Sequence, residues 1–217
     1  MICAYDKLYL DKARTALGRM LDFAVYDLNY NLTEFYNLFL SSGVAERFGC
    51  GDFTLLVGKS GVELAYEVVE QSGIDYERVK VNYTANRSEE YWSGWALAYY
   101  QWKTALSFRE IEEFAPIKSI CEMYDCYHEM DIQHFVDRMN ERYHIARPYT
   151  NLKRMRQKAG FSQSELAEVS GVPLRTIQQY EQRQKNINKA QVEYLLMLAQ
   201  ALCCRVEDLV EKVELAR

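Results

Sequence analysis

From Leu10 onward the apolar residues return every three or four positions, at Leu10, Ala13, Leu17, Met20, Leu21, Ala24 and Leu28. This spacing gathers them on one stripe and predicts an amphipathic helix over Asp11–Asp27. Asn29-Tyr30-Asn31 reads as a turn. A second apolar helix opens at Thr33, carries Phe35, Phe39 and Leu40, and ends near Ser42-Gly43. The stretch RFGCGDFTLLVGKSG combines four glycines with a short β-branched run, which predicts a loop or a short strand. Ser60 and Glu63 form a capping-box pattern that starts a helix through Leu64, Val68 and Val69. Residues 71–90 are polar and read as a connection.

Helical spacing resumes at Trp92, Trp95, Ala96, Tyr99, Tyr100 and Trp102. Ser107 and Glu110 make another capping box, opening a helix through Ile111 and Phe114 that Pro116 interrupts. Further helical patterns run from Ile117 through Ile120 to Tyr124, and through Ile132, Phe135, Val136 and Met139. YHIARPYT, Tyr143 to Thr150, carries Pro148 and marks a domain boundary.

The last third predicts five short helices. The first covers Asn151–Lys158 and stops at Gly160. Ser162 and Glu165 cap the second, which ends at Ser170-Gly171. Pro173 stands as the first residue of the third, which runs to Gln182. Asn188 and Gln191 cap the fourth, and the last spans Val206–Lys212. On the third helix Ile177, Tyr180 and Glu181 share one side, where Ala167 and Val172 can pack, and Leu174, Arg175, Gln178 and Gln179 share the other. Arg and Gln can each make paired hydrogen bonds to a base edge, Arg to guanine and Gln to adenine.

Charge sharpens this division. The net charge of −5 over 217 residues splits into +3 for residues 150–217, with eleven basic and eight acidic groups, and −8 for the rest. A polyanion partner therefore suits only the C-terminal third. With 3 Pro and 10 Gly, and 49% apolar residues, the chain has core material and few loop breakers. It has no apolar run long enough for a membrane span, and its start does not read as a signal peptide, so the cytoplasm is the expected compartment. The six cysteines are expected to be reduced thiols.

No nucleophile, base and orienter come together in the pattern, so no catalytic residue and no enzyme activity are expected. CEMYDCYHEMDIQH offers Cys121, Cys126, His128, Asp131 and His134, but these spacings drift around a helix and do not suit tetrahedral zinc. No metal and no cofactor are expected. YWSGWALAYYQW reads as helical core, with a pocket lining or a partner surface as the other readings.

Residues 151–211 resemble the Cro/C1-type (XRE family) helix-turn-helix domain, which is lambda-repressor-like. The residues that carry the resemblance are NLKRMRQKAGFSQSELAEVSGV, RTIQQYE and LLMLAQALCCRVEDLV. It implies that Gln163, at the start of the second helix, meets a DNA phosphate. Leu174, Arg175 and Gln179 occupy base-reading positions with Gln178 beside them, and Thr176 is placed for a phosphate. Arg183, Gln184 and Lys185 fall in the loop that meets the DNA backbone. Arg156 and Glu181 match a pair that ties the first helix to the third. Two departures stand out. Pro173 replaces the usual Ser or Thr cap, and Gln182-Arg183 replaces a favoured Gly, so a longer third helix or a differently bent loop is expected.

A second resemblance, over Glu34–Val69, is to small helical domains encoded in bacterial toxin–antitoxin operons. The resulting expectation is a mainly α chain with two parts. Residues 1–145 form an all-helical domain for partner binding, sensing or dimerisation, and residues 146–217 form a five-helix Cro/C1-type domain. The expected function is a transcriptional regulator, a dimeric repressor reading a palindromic double-stranded DNA operator. The alternative is an antitoxin whose N-terminal domain neutralises a cognate toxin and whose DNA binding is autoregulatory.

Overall fold

The computed structural model describes residues 3–82 and 87–213. Within them the chain is helical and contains no strand. It divides between Tyr143 and His144 into two compact units.

The N-terminal unit is built on α1 (Leu10–Tyr26). Its apolar stripe, Ala13, Leu17, Met20, Leu21 and Ala24, is buried. α2 (Leu32–Ser41) is capped by the Asn31 side chain, which accepts from the Thr33 and Glu34 amides. α5 (Gly61–Gln71) begins at the capping box of Ser60 and Glu63 read from the sequence. Ser88 caps α6 (Glu89–Thr104), and Ser107 with Glu110 caps α7 (Phe108–Glu112).

α1 and α6 pack backbone to backbone. A Cβ on Gly94 would lie 2.5 Å from the Leu17 carbonyl oxygen and 2.9 Å from the Gly18 Cα, and one on Gly18 would lie 2.7 Å from the Tyr91 oxygen. Only hydrogens fit at this crossing. α6 has two kinds of aromatic residue: Tyr91, Trp92 and Tyr100 are buried in the core, whereas Trp95, Tyr99 and Trp102 are half-buried.

The expected loop or strand after Arg47 is helical instead. α3 (Val44–Gly49) and α4 (Phe53–Leu56) flank the left-handed Gly51. Asp52 starts α4 by accepting from the Thr54 amide at 2.9 Å. Leu55 and Leu56 are both buried. Consecutive strand residues would face opposite ways, but a helical corner can turn both inward. The single helical pattern read through Ile117 and Tyr124 breaks into α8 (Ile117–Cys121) and α9 (Tyr124–Tyr127), and α10 (Ile132–Ala146) follows.

The connection after α5 has no regular element in its described part, yet it is fastened. Tyr76 stacks on Tyr66 with ring centroids 4.9 Å apart, and the Tyr66 hydroxyl accepts from the Val79 amide at 3.0 Å. The buried carboxylate of Asp27 accepts from the Asn82 amide at 2.8 Å.

The second unit contains α11 (Asn151–Lys158), α12 (Gln163–Ser170), α13 (Leu174–Glu181) and α14 (Val192–Ala201). Its core joins Leu152, Leu166, Val172, Ile177, Tyr180, Leu195, Leu198 and Leu209. Three sequence readings change here. The last element is a single 3-10 turn, Val206–Asp208. Gln191 stands at the start of α14 without a side-chain cap. Asn188 is instead spent on a distant contact, pairing with both backbone groups of Glu211 at 2.7 and 2.8 Å.

Candidate nucleic-acid interface

α12 and α13 are joined by Gly171, Val172 and Pro173. Gly171 takes φ 72°, a left-handed turn that suits glycine. Ser170 closes the corner: its hydroxyl donates to the Leu166 carbonyl at 2.6 Å and accepts from the Val172 amide at 3.2 Å. Val172 then drops into the core. Pro173 lies at the cap position, so Leu174, not Pro173, is the first residue of α13. No side chain caps this helix, as the loss of the usual Ser or Thr implies.

α13 is strongly two-faced. Ile177, Tyr180 and Glu181 are buried; Leu174 and Arg175 are exposed, and Thr176, Gln178 and Gln179 are half-buried. The hydrogen-bonding side chains named from the sequence thus emerge on the outer side of a helix whose inner side is locked to the core.

Behind this face is a buried polar node. Arg156 donates through Nε to Glu181 Oε1 at 2.6 Å and through Nη2 to Oε2 at 3.0 Å. The Glu181 contact raises the Arg156 pKa still further. Gln163, the first residue of α12, donates through Nε2 to Glu181 Oε2 at 2.7 Å. Its amide is therefore turned toward the node. The exposed carboxylate of Glu165 is held below its usual pKa by the Ser162 amide and hydroxyl, the capping box that starts α12.

The loop after α13 does not lengthen the helix. Arg183 takes the left-handed conformation itself, at φ 56°. Its amide donates to the Tyr180 carbonyl at 3.1 Å, and the Gln184 amide donates to Gln179 at 2.9 Å, the two bonds of a Schellman cap. The Arg183 side chain donates through Nη1 to the Pro148 carbonyl at 2.9 Å. Gln184 and Lys185 are exposed.

Sequence reasoning assigned nothing to Glu211, yet its carboxylate accepts from the Asn151 amide at 2.7 Å at the start of α11. Burial pushes this carboxyl above its usual pKa. A contact spanning sixty positions leaves no local signal.

In the N-terminal unit, an open groove of about 490 Å³ is lined by residues including Cys126, Tyr127, His134 and Arg138. Burial pushes the Cys121 thiol up to about 11, and His128 stacks on Tyr124 at 4.2 Å. The six cysteines are free. Among the described residues no helix is long and apolar enough to cross a membrane.

No curated protein and no solved structure matches the chain. Residues 152–209 match the family model described as Helix-turn-helix, and this part of the chain is a Cro/C1-type, XRE-family helix-turn-helix DNA-binding domain.

Proposed function

We propose that the protein is a sequence-specific transcriptional regulator, a dimeric repressor of a palindromic operator, with α13 as its reading helix. The observation that carries this reading is the outward row of α13. Leu174 and Arg175 are exposed and Gln178 and Gln179 half-exposed, on a helix fixed from behind by Ile177, Tyr180 and Glu181. Arg175, Gln178 and Gln179 can pair with base edges, and Leu174 supplies apolar contact. Thr176, Gln184 and Lys185 are assigned to the phosphates, as is Gln163 once its amide is shared between Glu181 and the DNA. The +3 charge of this third supports a polyanion partner. A domain of this class covers one half-site, so two copies read a two-fold site.

Residues 1–145 are assigned to dimerisation or to a protein partner. The −8 charge of residues 1–149 favours a basic partner, such as the cognate toxin of an antitoxin. The testing experiment is a selection of bound fragments from genomic DNA with purified full-length protein. Enrichment of one two-fold motif is expected. Recovery of fragments with no shared sequence would defeat the reading.

A further inference from the structure

We propose that Arg183 is a positioning residue that fastens the start of the DNA-binding unit to the end of the reading helix, and that it is not a DNA-backbone contact. The resemblance placed it in the loop that meets DNA, but the geometry points elsewhere.

Arg183 lies just past α13 and closes its Schellman cap in a left-handed conformation. An arginine there is strained where glycine would not be. What the side chain gains is a bond from Nη1 to the Pro148 carbonyl, 35 positions back along the chain. Its charge also acts on Glu211, whose carboxylate accepts from the Asn151 amide.

The residues after Pro148 are fastened in turn. The Lys153 ammonium sits 4.0 Å from the centre of the Tyr149 ring. The Thr150 hydroxyl accepts from the Lys153 amide at 3.2 Å, and the Asn151 side chain donates to the Val210 carbonyl at 2.7 Å. Pro148 through Asn151 are thus tied to the body of this unit, and Arg183 ties the first of them to α13. A pull carried by the chain ahead of Pro148 reaches the end of the reading helix directly through this guanidinium, beside the path through α11 and the Arg156–Glu181 pair. The exposed Gln184 and Lys185 are left to meet phosphate.

The test pairs two measurements on the full chain. The first is the salt dependence of binding to a random-sequence duplex of about 30 base pairs, where each lost phosphate contact flattens the slope by about 0.9. Lys185→Gln should flatten it by that amount. Arg183→Asn, which tolerates the left-handed backbone, should leave it unchanged. The second is hydrogen exchange in peptides covering Tyr149–Asn151, which should speed up about tenfold in Arg183→Asn. Arg183→Gly should do the same, although glycine relaxes the helix end.

A flatter slope in Arg183→Asn would make Arg183 a phosphate contact and overturn the assignment. So would exchange as slow as in the native chain in either variant. The role presupposes that the domain binds DNA. A chain that bound no duplex would sink that reading and leave the exchange result to judge Arg183 by itself.

Discussion

Arg156 and Glu181 form a two-pronged ion pair across the DNA-binding unit, at 2.6 and 3.0 Å, with only 2% of the Glu181 side chain exposed. The remaining Arg156 nitrogen, Nη1, donates to the Phe161 carbonyl at 2.6 Å, and Gln163 adds a third donor to Glu181. One carboxylate thus joins α11, the start of α12 and the end of α13. Removing one partner strands the other charge in a dry site, at about 3–5 kcal/mol. Glu181→Ala should lower the urea unfolding free energy of this unit by that amount. The double change Arg156→Met with Glu181→Leu should recover most of it, because no charge is left behind. A loss below about 1 kcal/mol in the single variant would show that the node is solvated.

Cys203 carries a second backbone strain. It takes φ 50° after α14, where its amide donates to Gln200 at 3.2 Å and the Cys204 amide donates to Ala199 at 3.0 Å. This is again a Schellman cap with a side chain at the glycine position. A left-handed residue with a Cβ costs about 1–2 kcal/mol, and glycine returns part of that through its freer unfolded chain. Cys203→Gly should therefore stabilise the unit by about 0.5–1 kcal/mol in a thermal melt. The exposed thiol makes no strong contact that would be lost. An unchanged or lower melting temperature would rule this account out.

Much of this architecture could be read from the chain because it is local. Ser60 with Glu63, Ser107 with Glu110, and Ser162 with Glu165 each declare a helix start within four residues, and each forms. The stripe of α1 and the two faces of α13 follow from spacing alone. The misreadings have other causes. α4 was hidden by glycines and a β-branched run, because the Asp52 cap outweighs the local composition. Asn188 has the composition of a helix cap, yet it spends its amide on Glu211. Arg183 breaks the glycine rule because its side chain finds Pro148. In these last two, a partner far along the chain overrides a local preference.

Glu211 should make the stability of the unit depend on pH in an unusual direction. Burial raises its carboxyl pKa more than the Asn151 amide and the charges of Arg183 and Arg154 lower it. The folded state therefore holds this proton more tightly than the unfolded chain, whose glutamate titrates near about 4.3. Below that value the group's contribution is fully present, and it is lost as pH rises through the raised folded value. Glu211→Gln keeps an oxygen to accept from Asn151 and removes the charge. The variant should exceed the native chain in urea midpoint at pH 7, and the gap should close at about pH 4. A gap that persists at low pH would mean that charge burial is not its source.

The outward row of α13 makes the sharpest prediction, because base contacts and phosphate contacts fail differently. Arg175 is exposed on the first turn, where its guanidinium can reach a guanine edge through two hydrogen bonds. Arg175→Ala should cost about 1–3 kcal/mol on the selected motif and relax preference at one base position, leaving the others intact. Gln179→Ala should act likewise at a different position, with adenine as the base released. Lys185 lies beyond the helix on an exposed loop, where the proposed reading uses it as a point charge to the backbone. Lys185→Ala should weaken all sequences alike. Both kinds of variant keep the buried face of Ile177, Tyr180 and Glu181, so circular dichroism should be unchanged. Competition binding against a library with each motif position randomised separates the cases. If Arg175→Ala weakened every sequence equally, Arg175 would be a phosphate contact, and the base reading would have to come from Leu174, Gln178 and Gln179.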